Sequence, residues 1–278
     1  MSSAESTLAR QARAWDVRIT HTVERQSSLI GFGTLADKPV VLKVVRFEGD
    51  ESRAGSVLEA FDGKGVVRVY AHAPGALLVE RAVPGTRLTD LVLRGRDAEA
   101  TRILAEVIGN LSPKPSPAGL PSVSDWTRGF DRYSASADDQ IDPDLVRRAH
   151  RVYLELAASQ RIARLVHGDL HHENVLWDEQ RGWLAVDPKG VVGEVEYELG
   201  AALRNPHECP EMVTDAWTVN SRVVCLASTL GLDPERVLRW AFSQAVLSAI
   251  WCIEDEGTVS STNLSLLLAH TIDRMISI

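Results

Sequence analysis

The spacing of apolar residues shifts from mainly strand-like to mainly helical near residue 84 of this 278-residue chain, and that shift limits the folds open to it. Up to residue 82, apolar and polar positions alternate over 15–23, 28–35, 40–47, 66–71 and 76–81, the pattern of half-buried strands. Arg25-Gln26-Ser27 and Asp37-Lys38-Pro39 supply turns between the first three runs, which predicts antiparallel pairing. A short polar helix precedes them, and one further helix over 51–61 is stopped by Asp62-Gly63-Lys64-Gly65. Beyond Val83-Pro84-Gly85 the spacing becomes helical, over 88–93 and 101–111. A strand-rich first unit and a mainly helical second unit, meeting near residue 84, are the simplest arrangement.

The second unit is punctuated clearly. Residues 111–121 hold repeated prolines and read as a semi-rigid connector through which no sheet can run. Asp142 before Pro143 and Asp233 before Pro234 each place an N-cap ahead of a proline at the first helical position. The helix after Asp233 is apolar on most sides, so it belongs at the centre of its unit.

Bulk properties narrow the function. With 45% apolar and 24% charged residues the chain reads as globular, and no apolar run approaches the roughly 18 residues of a membrane span. Its first residues lack the basic and apolar pattern of a secretory signal, which points to the cytoplasm. Cys209, Cys225 and Cys252 are too few and too scattered for a disulfide framework or a zinc site. A net charge of −8 disfavours general nucleic-acid binding, which needs a basic surface to displace counterions.

The chemistry concentrates in Leu165-Val-His-Gly-Asp-Leu-His-His-Glu-Asn-Val-Leu-Trp177 and in Trp183-Leu-Ala-Val-Asp-Pro-Lys-Gly190, where short apolar strands flank polar loops. Phosphoryl transfer needs a group that receives and aims the acceptor hydroxyl, and a cation that neutralises charge on the phosphate oxygens. Asp169 suits the first task as the catalytic base. Asn174 and Asp187 offer hard oxygen ligands for Mg²⁺, an ion that keeps water and phosphate oxygens as its other ligands.

The run His167-Gly-Asp-Leu-His-His-Glu-Asn174, followed by Asp187-Pro188-Lys189-Gly190 and Gly193-Glu194, resembles the catalytic segment of the aminoglycoside phosphotransferase family, in its streptomycin 6-phosphotransferase and hydroxyurea phosphotransferase branch. The resemblance implies an α+β, two-lobed, protein-kinase-like fold: a β-rich nucleotide lobe over 1–82, a hinge over 83–86 and a mainly helical catalytic and acceptor lobe over 87–278. ATP or GTP would lie between the lobes with Mg²⁺.

By the same resemblance Lys43 would contact the α- and β-phosphates and Glu59 would pair with it, while the Glu80 carbonyl and Ala82 amide would meet the base. No Gly-x-Gly-x-x-Gly is present; Gly31-Phe32-Gly33 is a weak phosphate-loop signal, and Ser27 and Ser28 are the alternative phosphate contacts. His167 and Glu198 would brace the catalytic loop. His171, Lys189, Glu194, Trp251 and Glu254 are the candidate acceptor contacts. The acceptor would be a small cationic molecule with a hydroxyl, streptomycin phosphorylated on its 6-hydroxyl being favoured, with antibiotic resistance as the outcome. Hydroxyurea or another metabolite is the alternative acceptor, and a non-catalytic nucleotide-binding module is the rival class. Neither a membrane nor a nucleic acid is expected as partner, and the protein would be a monomer or homodimer.

Overall fold

The computed structural model describes residues 3–47, 49–111, 116–136 and 138–276, without the side chains of Asp50 and Glu51. Part of the proline-rich connector, 112–115, lies outside the described residues. Helix α1 (Ser3–Ala14) leads into strands β1 (Arg18–Glu24), β2 (Ser28–Leu35) and β3 (Lys38–Val45). A 3₁₀ turn (Asp50–Arg53) and helix α2 (Ala54–Phe61) follow, then β4 (Val69–Ala73) and β5 (Ala76–Glu80). The strands form one antiparallel sheet in the order β1-β2-β3-β5-β4.

Alternation assigns the two faces of this sheet. Val40, Leu42 and Val44 of β3 pack with Leu78 of β5 beneath Ala4, Leu8 and Ala12 of α1, which recur every four residues along one stripe of that helix. The intervening Val41 and Lys43 point to the opposite face, where α2 and the rest of the protein lie. Gly31 and Gly33 are strand glycines: a Cβ on Gly33 would stand 2.3 Å from the Arg18 carbonyl oxygen, so their smallness serves close packing against β1.

The chain continues as β6 (Pro84–Arg87), α3 (Thr89–Leu93), α4 (Asp97–Asn110), a 3₁₀ turn (Val123–Thr127), α5 (Arg128–Ala135) and α6 (Pro143–Ala158). Then come β7 (Arg164–Val166), β8 (Val175–Asp178), β9 (Gly182–Ala185), β10 (Val191–Gly193) and helices α7 (Val195–Leu203), α8 (Pro210–Thr214), α9 (Ala216–Leu230), α10 (Pro234–Glu256) and α11 (Leu264–Met275). The two anticipated caps form: Asp142 accepts from the Asp144 amide and Asp233 from the Glu235 amide, each at 3.0 Å. Helix α10 is central, with Trp240 wholly buried and edge-on to Tyr153 of α6 and Tyr197 of α7.

Residues 83–86, read from sequence as a hinge, are largely strand β6, which pairs with β8 in the order β6-β8-β9. Pro84 is tolerated because it opens the strand, and its partner Asp178 is too remote in sequence for periodicity to reveal. The N-terminal sheet is joined to this hairpin. The Val67 amide donates to the Ala185 carbonyl at 3.1 Å, the Ala185 amide donates to the Gly65 carbonyl at 2.8 Å, and Val57, Leu58 and Phe61 of α2 share one apolar core with the helical region.

Candidate active site

Two crossovers carry the polar residues: β7 to β8 holds 167–174, and β9 to β10 holds 186–190. Backbone bonds lash them together, since the amides of Lys189 and Gly190 donate to the His167 carbonyl at 3.0 and 2.9 Å and the Val186 amide donates to the Asn174 carbonyl at 2.9 Å. His167 is fully buried; its Nε2 meets the Val186 carbonyl at 2.8 Å and its Nδ1 accepts from the Asp169 amide at 3.3 Å. Gly168 adopts φ +83, and a Cβ there would also press on Val191 at 3.2 Å, so glycine is required at this bend.

Glu198, on the buried first turn of α7, accepts from the Gly168 amide through both oxygens (3.1 and 3.0 Å) and from the Leu170 amide at 3.1 Å. It thus holds the backbone on either side of Asp169. Burial raises its carboxyl above the ordinary range, against the lowering effect of His167 and the two amides.

The Asp169 carboxylate faces the Lys189 ammonium at 3.3 Å. Burial alone would raise its pKa, but Lys189, His171, Arg204 and His167 outweigh that effect and hold it at about 2. Asn174 donates from Nδ2 to the Asp169 carbonyl at 2.9 Å, which leaves its Oδ1 as the acceptor atom. His171 orders the same turn: its Nε2 lies 3.2 Å from Asn174 Nδ2 and its Nδ1 accepts from the Glu173 amide at 3.4 Å. Asp187 has φ 57, in the left-handed region that few non-glycine residues enter, and its carboxylate lies 3.0 Å from the Lys43 ammonium. Such local strain occurs where a side chain has to be aimed.

Two cavities open on these loops. A cleft of about 680 Å³ between the N-terminal sheet and the β8–β9 hairpin is lined by Lys43, Glu80, Ala82, Asn174 and Asp187, with Val41, Leu77 and Leu176 as apolar walls. A second cavity of about 300 Å³ runs from Asp169 and Lys189 to Trp126, Trp251 and Glu254. Both volumes suit small ligands. The 167–174 loop therefore stands between a cleft with cationic and oxygen ligands and a pocket that ends on a carboxylate.

The sequence model of the family described as aminoglycoside/hydroxyurea antibiotic resistance kinase matches residues 13–256. The chain belongs to this family. Among its relatives, the streptomycin 3''-kinase of Klebsiella pneumoniae is 36% identical over 224 residues, covering 79% of this chain and 82% of the relative. The hydroxyurea phosphotransferase of Kitasatospora aureofaciens is 33% identical, covering 84% and 71%, and the streptomycin 6-kinase of Streptomyces griseus is 29% identical, covering 89% and 82%. In fold, the chain is similar to the choline kinase LicA of Streptococcus pneumoniae, with a TM-score of 0.64 at 13% identity over 98% of both chains. It is also similar to the aminoglycoside phosphotransferase APH(4)-Ia solved with ADP and hygromycin B, with a TM-score of 0.63 at 13% identity over 96% of this chain and 98% of that one. The two-lobed kinase-like fold follows, and this family member is a phosphotransferase.

Against that fold, most expected residues converge: Asp169, Asn174, Asp187, Lys43, His171 and Lys189 lie on the two loops or the facing strand, and Trp251 and Glu254 close the far end of the pocket. Ser27 lies in the exposed β1–β2 turn, whereas Ser28 is buried in the sheet opposite Val45 and is not a surface phosphate contact. Glu59 does not pair with Lys43. Its carboxylate lies 3.1 Å from His72 Nε2, because the buried stripe Ala54, Val57, Leu58 and Phe61 turns Glu59 toward the outer side of α2. Glu194 is no acceptor contact either: it is buried in an ion pair with Arg236 at 2.6 Å and also accepts from the Trp240 indole. The Glu80 side chain is tied to Arg181 and to the Arg68 amide, at 2.8 Å for the amide, and its own amide donates to the Arg68 carbonyl at 2.9 Å, so neither is open to a cleft ligand.

Sequence reasoning missed Tyr197, Arg204, Gln244 and Arg132 in the pocket and Arg25 and Phe32 in the cleft. Helical spacing carried a partial signal: Tyr197 and Arg204 are one heptad apart on and beside α7, as are Gln244 and Trp251 on α10.

Proposed function

We propose that this kinase moves the γ-phosphoryl group of ATP or GTP onto a hydroxyl of streptomycin or a closely related aminoglycoside, in the cytoplasm. The nucleotide would occupy the cleft above Lys43, with its base against the backbone of Glu80 and Ala82, and the acceptor would occupy the pocket below Asp169. The observation that carries this reading is Asp169 itself, an ionised carboxylate that lines the pocket, gripped by Lys189, on the same loop whose Asn174 lines the cleft.

Asp169 would accept a hydrogen bond from the acceptor hydroxyl and aim its oxygen at the γ-phosphorus. A bond forms between that oxygen and phosphorus, the bond from phosphorus to the β,γ-bridging oxygen breaks, and the hydroxyl proton leaves by way of Asp169. With a pKa held at about 2, Asp169 acts more by orientation and charge than by keeping a proton. Lys43 would steady the departing diphosphate.

The donor set fits magnesium: one amide oxygen freed by the Asn174 Nδ2 bond, and one strained aspartate whose present neighbour is a lysine ammonium, a cation already drawn to that place. Magnesium bound there would neutralise charge on the phosphate oxygens. His167 and Glu198 hold the loop, and the packed core beneath it limits reorganisation.

Streptomycin is favoured because both the 36% and the 29% identical relatives are streptomycin kinases, although they are named for different hydroxyls. The test is magnesium-dependent release of nucleoside diphosphate from ATP and GTP with streptomycin, other aminoglycosides and hydroxyurea, followed by phosphorus NMR of the product. Streptomycin-stimulated release with a phosphate on the 6-hydroxyl supports the reading in full, and a 3''-phosphate changes only the position. Release that responds to hydroxyurea alone overturns the acceptor.

A further inference from the structure

We propose that Arg132 is a resident guanidinium occupying the place where a cationic group of the acceptor has to bind, and that it sets how strongly the pocket prefers cationic over neutral acceptors. The inference rests on the reading that the pocket below Asp169 receives the acceptor.

Three carboxylates (Asp169, Glu254, Asp255) and three cations (Arg132, Lys189, Arg204) line that pocket, so its wall offers a cation no net attraction as it stands. Two of the carboxylates already have partners. Asp169 holds Lys189, and Glu254 is gripped by Arg132 through two parallel bonds, Nε to Oε1 at 2.8 Å and Nη2 to Oε2 at 2.9 Å. This fork is the geometry with which any guanidinium or paired ammonium groups would engage the same carboxylate.

The three cations differ in how freely they can leave. Lys189 is bound to the catalytic carboxylate, and Arg204, at the end of α7, donates to Gln244 Oε1 at 3.2 Å while Gln244 in turn donates to the Tyr197 carbonyl. Arg132 stands on the short helix α5 with 58% of its side chain exposed. A partly exposed ion pair contributes little to stability, and a long side chain can swing into water without leaving a buried group unpaired. Arg132 is therefore the cation that a charged acceptor displaces, releasing Glu254 beside the Trp126 and Trp251 rings, whose edge-to-face contact at 5.4 Å forms the adjoining wall. A neutral acceptor gains nothing from the exchange and leaves the pair closed.

The test compares Arg132→Ala and Glu254→Gln with the unaltered enzyme, using streptomycin as the cationic acceptor and hydroxyurea as the neutral one. Losing a competitor worth a partly exposed ion pair lowers the KM for streptomycin about twofold to fivefold, with the effect falling on KM. Glu254→Gln raises the same KM, and the KM for hydroxyurea moves with neither change. Calorimetric binding of agmatine, a simple guanidinium probe, to the magnesium-nucleotide complex tightens in Arg132→Ala even when no acceptor is turned over. An unchanged or raised streptomycin KM together with unchanged or weaker agmatine binding overturns the role of Arg132. Absence of turnover with every acceptor, beside tighter agmatine binding, overturns the proposed reaction and leaves the role of Arg132 standing.

Discussion

The Lys189 ammonium lies 3.3 Å from the Asp169 carboxylate, and the two come from different crossovers bound together by their backbones. The pairing makes the charge state of Asp169, the proposed base, dependent on a cation two residues past Asp187. Burial raises the Asp169 carboxyl; Lys189 is the largest of the opposing causes, and the balance leaves it at about 2. The carboxylate is thus present throughout the ordinary assay range and is lost only as pH falls through that low value. Replacing Lys189 with Met removes the main opposing charge, so the pKa rises and the acid limb of kcat/KM moves upward into the measurable range. A pH–rate profile checks this, and an unmoved acid limb would contradict it.

Two buried histidines and the half-buried His171 give folding stability its own pH dependence. Burial lowers the pKa of His167, His171 and, most strongly, His172 below the ordinary 6.5, so each stays neutral in the fold while the unfolded chain takes up a proton. Stability is retained above about pH 6.5 and declines as pH falls toward the folded-state values. Neither ring nitrogen of His172 has a hydrogen-bond partner among the described residues. His172→Leu should therefore fold and should reduce the acid slope by as much as about 1.4 kcal/mol per pH unit. Urea unfolding between about pH 5 and 7 reads the slope.

Glu198 is the main brace under the loop. Glu198→Ala leaves the buried Gly168 and Leu170 amides without their acceptor, at a cost of about 1–3 kcal/mol for each amide. Both Tm and kcat fall, because these amides flank Asp169. Glu198→Asp keeps a carboxylate on a shorter arm and should recover part of both. Thermal unfolding and steady-state kinetics on the two variants separate this account from one in which Glu198 only fills space.

Gly190 couples the second crossover to the N-terminal region. It has φ +74, and a Cβ there would stand 2.4 Å from a methyl of Val57 on α2. Gly190→Ala combines backbone strain with overpacking and should destabilise by about 1–3 kcal/mol. Adding Val57→Ala to the Gly190→Ala variant opens space and should return part of the loss. A double-mutant cycle on Tm measures the coupling, and additive effects would contradict it.

Asp169, Asn174 and Asp187 were singled out from polar loops between short apolar strands and Lys43 from the family resemblance, and the fold brings Lys43, Asn174 and Asp187 to one cleft with Asp169 on the same loop as Asn174. Glu59 misled because α2 begins at Ala54 after a 3₁₀ turn, and this phase turns Glu59 toward His72. Glu194 misled because its partner Arg236 is 42 residues away, and a buried ion pair leaves no local mark. The bond from Arg132 to Glu254 spans 122 residues and strand β6 pairs far along the chain, so both depend on tertiary packing that periodicity does not encode.

The central claim is that Asp169 aims an acceptor hydroxyl at a nucleotide held by Lys43, Asn174 and Asp187. The most direct measurement is the turnover of Asp169→Asn with streptomycin and magnesium-ATP, with nucleotide affinity measured on the same preparation. The account predicts a loss of turnover on the order of 10²-fold to 10⁴-fold with nucleotide affinity retained. Turnover within a few-fold of the unaltered enzyme would contradict it.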